Sequence, residues 1–98
     1  MPGVARDGDL CGGAIKATAI KTFVNGKKVA RIGDKVEQHG DSPHDDATLT
    51  EARDDSLVFN RPIVEGMPAA LEGDKATCGH AISQASLNVH VTQVEAGE

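Results

Sequence analysis

The chain has 98 residues, with 10 Lys+Arg against 15 Asp+Glu and a formal net charge of −5. That balance argues against a nucleic-acid binder, which needs a basic face to release counterions from phosphates, and against an anionic membrane as a stable partner. The length bounds one small domain, and its only aromatic residues, Phe23 and Phe59, leave a thin core of Val, Ile, Leu and Ala. Such a core calls for a staple: a disulfide, a metal or a partner chain.

In chain order, the first signal is Ala5-Arg6-Asp7-Gly8-Asp9, a form Ala-x-x-Gly-Asp that returns as Ala30–Asp34 and as Ala70–Asp74. Gly-Asp supplies a turn, because Gly adopts positive φ freely and Asp bonds its own backbone. Each copy reaches a Cys or His followed at once by Gly: Cys11-Gly12, His39-Gly40 and Cys78-Gly79. The Asp-to-Asp spacings are unequal, so this is no regular solenoid. Three such turns can bring three ligand-type side chains to one point.

Ile15 to Val24 is rich in β-branched residues and reads as a strand entering a hairpin at Asn25-Gly26, the strongest short hairpin cue. The stretch 41–56 is polar and acidic, reads as an insertion, and is expected to be a loop; Thr48-Leu49-Thr50-Glu51 also fits a capping box, so a helical turn is the alternative there. Leu57-Val58-Phe59, Pro62-Ile63-Val64 and Ala81-Ile82-Ser83 are short strand candidates. Leu87, Val89 and Val91 alternate with polar residues, the pattern of a half-buried strand, with His90 on its exposed face. No 3.6-residue apolar face is long enough for a helix. The class is mainly β, one domain over 1–98, with short strands and tight turns.

No apolar run approaches the roughly 20 residues of a membrane span. The N-terminus lacks a signal-peptide pattern, so cytoplasmic synthesis without a cleaved signal is expected. Two cysteines, Cys11 and Cys78, are too few for a disulfide framework; they are one bridge in an oxidising space, or thiols or metal ligands in a reducing one.

A closed tetrahedral Zn²⁺ site takes four N/S ligands and stabilises a small fold outright. Cys78, His80, His39 and His44 make a Cys-His₃ set, with Cys11 as an alternate for one histidine. Asp9, Asp34 and Asp74 directly follow Gly in turns, which suits a structural role better than acid–base work. No Gly-x-Ser-x-Gly, phosphate-cradling loop or paired-carboxylate signature is present. A thiol or zinc enzyme and a free-standing zinc-stabilised binding module are the rival readings. An enzyme would keep an open metal position or a low-pKa Cys in a cleft.

The segments Pro2–Asp9, Phe23–Asp34 and Ile63–Gly79 together resemble the PAAR-repeat family, over nearly the whole chain. The resemblance implies a small cone of short strands that caps and sharpens the trimeric β-helical spike of a type VI secretion system (the valine-glycine-repeat spike protein) or of a contractile phage tail. It implies no enzymatic activity, and a zinc near the apex held by three His and one Cys. The wide base would bind the spike, and effector proteins would ride by separate contact. The protein would be exported with the injection apparatus or form part of a virion. The chain departs from the family where Cys11 stands in place of a His and Asp74 follows Gly73. On the resemblance, Cys78 is the first ligand, His44 and His39 follow, and His80 and Cys11 compete for the remaining position.

Overall fold

The computed structural model describes residues 2–42, 45–52, 59 and 61–91. The strands are β1 (Leu10–Cys11), β2 (Gly13–Lys16), β3 (Phe23–Val24), β4 (Lys27–Lys28), β5 (Lys35–Val36), β6 (Leu49–Ala52), β7 (Ile63–Val64), β8 (Met67–Pro68) and β9 (Lys75–Ala76). They pair antiparallel as β1-β2-β5, β3-β4, β6-β9 and β7-β8, with no helix among the described residues.

Each Ala-x-x-Gly-Asp copy folds the same way. Asp9 N–H donates to the Arg6 carbonyl, Asp34 N–H to that of Arg31 and Asp74 N–H to that of Leu71, each at 3.0 Å. Gly8, Gly33 and Gly73 sit third in these turns at φ 84°, 100° and 96°, the conformation a type II turn demands of Gly. The aspartate then closes the turn again: its carboxylate accepts the N–H of Arg6, Arg31 or Leu71 at 2.8 Å. All three aspartates are buried.

The three copies join into a closed ring. Ala5 N–H donates to the Ala70 carbonyl, Ala70 N–H to Ala30 and Ala30 N–H to Ala5, each at 2.9 Å. One step out, Gly8, Gly33 and Gly73 donate to the carbonyls of Ile15, Leu49 and Ile82, whose own N–H groups donate back to Asp9, Asp34 and Asp74. The fold therefore has an internal pseudo-threefold. A side chain no larger than a methyl suits the point where the three chain segments meet, and Ala5, Ala30 and Ala70 are each fully buried.

Two apolar clusters pack around this ring, one of them including it. The first holds the three alanines with Ile15, Leu49 and Ile82, and with Cys11, Val36 and Ala76. The second holds Val4, Val29 and Ala69 with Val64, Val91, Leu71, Ala19 and Phe59. Ile15, Leu49 and Ile82 are at most 2% exposed, and burying each contributes about 1.5–3 kcal/mol.

The second cluster is covered by three two-stranded ribbons. Hairpin β3–β4 turns at Asn25-Gly26 with φ 56° and 78°, and β7–β8 turns at Glu65-Gly66 with φ 50° and 91°, both type I′ signatures. The third ribbon is split: Gly3 bridges His90, Val4 N–H donates to the Val89 carbonyl and Val91 N–H to Pro2. Segments at the two extremes of the described chain thus form the third ribbon together.

Several elements differ from the expectations of sequence. Thr48–Glu51 is neither helical turn nor loop: Thr48 bridges Lys35, and β6 pairs with β9. The Leu49 amide is consumed by Asp34, and its side chain fills the position of Ile15 and Ile82, so burial overrides the capping-box pattern. Ala47, in the same polar stretch, is also fully buried. The strand read over Ile15–Val24 is interrupted after Lys16, because carboxylates take its amides: Asp7 accepts from Ala17, Asp34 from Thr18, and Glu65 from Ile20 and Lys21. Of Leu57–Phe59, only Phe59 lies within the described residues, and it is buried. The C-terminal alternation yields one bridge rather than a strand, with Val91 8% exposed but Leu87 92%. His90 is exposed, as its polar-face position suggests.

Candidate metal centre

Three ligand-type side chains converge beside the first cluster: His39, Cys78 and His80. His39 follows β5 by three residues, and Cys78 and His80 follow β9 by two and four. β9 ends in a tight turn, where Gly79 N–H donates to the Ala76 carbonyl and Ala76 N–H to that of His80. This turn sets Cys78 and His80 side by side.

Cys78 Sγ lies 3.6 Å from His39 Nε2 and 3.7 Å from His80 Nδ1, and the two nitrogens are 3.0 Å apart. Tetrahedral zinc with Zn–N near 2.1 Å and Zn–S near 2.3 Å puts N and S about 3.6 Å apart and two nitrogens about 3.4 Å apart. The sulfur–nitrogen distances match, and the nitrogens stand somewhat closer. Two imidazole lone pairs at this range repel unless a proton or a cation lies between them. The donor set of two nitrogens and one sulfur suits a borderline-soft ion.

A backbone carbonyl fixes one tautomer. His39 Nδ1 is 2.9 Å from the Glu37 carbonyl oxygen, which only accepts, so Nδ1 carries the proton and Nε2 offers its lone pair to the centre. The imidazoles of His39 and His80 have centroids 5.0 Å apart with planes at 39°. His39 and Cys78 are half-buried and His80 is exposed.

The β1–β2 turn roofs the pair. A Cβ at Gly12, which has φ 80°, would lie 2.1 Å from His80 Nδ1 and 2.8 Å from His39 Nε2. One at Gly13 would lie 2.6 Å from the Glu37 oxygen that orients His39. Real Cβ atoms do not approach this closely, so Gly12-Gly13 makes the room in which the ligands meet. Sequence reasoning missed Gly12, Gly13 and Glu37 as contributors. The Gly-Gly after Cys11 was the available signal for the first two.

The remaining candidates fall elsewhere. Cys11 is fully buried, and its Sγ donates to the His80 carbonyl oxygen at 3.2 Å. Burial pushes its thiol up to about 11, which keeps it a protonated donor at neutral pH. It stands two residues after its Asp, the place of Val36 and Ala76, whereas Cys78 comes four after and His39 five. His44 lies outside the described residues. His90 bridges Gly3 in the split ribbon and takes no part in the grouping.

The three repeat aspartates have structural partners. Arg6 donates through Nε and a terminal nitrogen to both oxygens of Asp9, at 2.9 and 3.0 Å. Arg61 grips both oxygens of Asp74 through its two terminal nitrogens, at 2.6 Å each, reaching in from outside the repeat because Leu71 stands where Arg6 and Arg31 stand. Asp34 instead accepts from Thr18 Oγ1 at 2.5 Å.

Comparison with known proteins gives no match to any family model and none to any curated protein.

Proposed function

We propose that the protein is a non-enzymatic structural tip that caps the trimeric β-helical spike of a contractile injection machine, as its resemblance to PAAR-repeat proteins implies. The observation that carries this reading is the closed ring of three Gly-Asp units in a single chain. One chain with an internal pseudo-threefold can meet three identical subunits at once, so one copy suffices for a trimeric shaft.

The two sides of the ring support a division of labour. On the ribbon side, Phe23, Ile63 and His90 hold equivalent places, opposite Lys28, Pro68 and Gly3. Phe23 is 55% exposed and Ile63 67%, so two of the three matching places present an apolar side chain at the surface. Short ribbons with exposed apolar residues suit docking onto the strands of a shaft. On the other side, His39, Cys78 and His80 are the residues that would hold zinc, with His44 as the fourth ligand that the resemblance implies. Bound there, the ion would cross-link the excursion after β5 to the turn after β9, stiffening an end too small to build its own core. A conical outline is what the family resemblance implies.

The test is co-purification of the full chain with a trimeric β-helical spike. The expected stoichiometry is one chain per trimer, lost with Phe23→Asp/Ile63→Asp while metal content stays. Failure to bind any such spike at micromolar concentration overturns the reading.

A further inference from the structure

We propose that Cys11 and Cys78 form a redox pair beside the metal centre, in which an intramolecular disulfide and a bound zinc ion exclude each other. The exclusion presupposes that the centre holds zinc.

Both cysteines are free thiols, and both meet the same residue. Cys11 Sγ donates to the His80 carbonyl oxygen at 3.2 Å, and Cys78 Sγ lies 3.7 Å from His80 Nδ1. One tight turn links them. Gly79 N–H donates to the Ala76 carbonyl and Ala76 N–H to that of His80, so residues 76–80 form a closed loop with Cys78 at its crown. Cys11 Sγ sits at the foot of that loop, against the His80 carbonyl, and the Ala76 amide faces it as well. A turn closed in this way spans less than about 7 Å, the size of the Cα separation that a disulfide bridges. Cys78 packs on the apolar cluster that includes Cys11. Burial chiefly raises the Cys11 thiol, and the neighbouring Cys78 sulfur adds to the rise. Gly79, next to Cys78, has φ 94° and nothing within 4 Å of where a Cβ would stand, so no packed neighbour holds the crown on that side.

The two thiols have unequal tasks. Cys78 is half-buried and is the sulfur an oxidant reaches, whereas Cys11 is fully buried. With a peroxide as oxidant, Cys78 Sγ attacks one peroxide oxygen, the O–O bond breaks, and the departing hydroxide takes the Cys78 proton as water. Cys11 Sγ then attacks the sulfenic sulfur, the S–O bond breaks, and hydroxide leaves with the Cys11 proton as a second water. Two thiols are oxidised and one peroxide is reduced. Zinc needs the same sulfur. Cys78 brings the one sulfur of the three grouped ligands, so a bridged chain keeps only the two imidazoles of that group. Bound zinc in turn holds the Cys78 electron pair that would attack the peroxide. Cys11 thereby gains a use in the place where Val36 and Ala76 are merely apolar.

Hydrogen peroxide treatment of the reduced full chain, with and without zinc, tests the exclusion. Without zinc, peptide mapping should find a Cys11–Cys78 bridge, at a mass two hydrogens below that of the reduced chain. It should form at least tenfold faster in buffer than in denaturing urea, because the fold rather than chance closure of the chain brings the sulfurs together. Zinc should slow bridging at least tenfold, and the bridged chain should bind zinc at least tenfold more weakly until a reductant restores it. In Cys11→Ala, peroxide should carry Cys78 to the sulfinic acid instead, and zinc binding should stay lost after reductant. Equal bridging rates in buffer and urea, bridging only between chains, or a rate indifferent to zinc overturns the proposal while leaving the metal centre intact. A reduced chain that takes up no zinc overturns the metal centre and the exclusion with it.

Discussion

Cys11 Sγ donates to the carbonyl of His80, while the imidazole of the same residue meets His39 and Cys78. The two cysteines therefore act on one ligand from different sides, and their substitutions should separate. Cys78→Ser is expected to abolish metal retention and lower the melting midpoint in step. Cys11→Ala removes a buried donor and should cost about 1–2 kcal/mol while keeping the metal. Elemental analysis of purified protein beside thermal melts decides it; metal lost equally from both variants would place Cys11 in the ligand set.

The roof over the ligands gives a matched comparison. Gly12 and Gly26 have nearly equal φ, 80° and 78°, so alanine pays a similar left-handed penalty of about 1 kcal/mol at either place. They differ in what a Cβ meets: two imidazoles at Gly12, nothing within 4 Å at Gly26. Gly12→Ala should weaken metal binding at least tenfold, and Gly26→Ala should leave it alone. Competition with a colorimetric chelator reads the difference, and equal affinities would mean the roof is dispensable.

Much of this architecture was legible in the sequence, and the misreadings share a cause. The Asn25-Gly26 hairpin and the three Gly-Asp turns are local, set by residues that few other conformations accept, so they could be read directly. The register beyond each turn is not local. Aligning the copies on their Cys-Gly or His-Gly ends placed Cys11 with His39 and Cys78. The fold aligns them on the aspartate, where Cys11 falls with Val36 and Ala76 in the first cluster. Residues Ile15, Leu49 and Ile82 occupy one structural place, yet they follow their aspartates at six, fifteen and eight residues. No spacing rule survives such unequal excursions. His39, Cys78 and His80 were recoverable by chemistry alone, because few other side chains here can bind a soft ion.

The Arg61–Asp74 pair tests how far the third unit depends on a residue outside the repeat. Asp74 is fully buried and Arg61 nearly so, with both carboxylate oxygens held. Arg61→Met takes a two-point guanidinium contact from that buried carboxylate, which costs about 3–5 kcal/mol. Urea unfolding should show the midpoint shift with little change in slope. A loss under 1 kcal/mol would mean that Asp74 is satisfied without Arg61, by contacts that include the Leu71 amide.

Glu65 provides a pH signature. Its carboxylate accepts the Ile20 and Lys21 amides and the Thr22 hydroxyl, tying the β7–β8 turn to the segment before β3. The Ile20 and Lys21 amides hold its carboxyl below the ordinary value of 4.5. A depressed folded pKa contributes stability that is present above the unfolded value and lost as pH falls through the folded one. The melting difference between the protein and Glu65→Gln should thus be largest from neutral pH down to about 5 and close at lower pH. A difference that widens on acidification contradicts the assignment.

The split ribbon yields the sharpest test of the pseudo-threefold. Val91 and Val64 hold equivalent places: Val91 lies two residues after the carbonyl that accepts from Val4, and Val64 two after the one that accepts from Ala69. Their exposures are 8% and 7%, and both pack in the second cluster. Each loses two buried methyl groups on truncation to alanine, worth about 1.5 kcal/mol. If the Gly3–His90 ribbon is as well formed as the two hairpins, Val91→Ala and Val64→Ala should cost the same within about 0.5 kcal/mol. A frayed third ribbon would instead leave Val91→Ala near zero while Val64→Ala keeps its full cost. Chemical denaturation of the two variants side by side measures that ratio, and a null effect at Val91 alone would reduce the closed threefold to two hairpins and an open side.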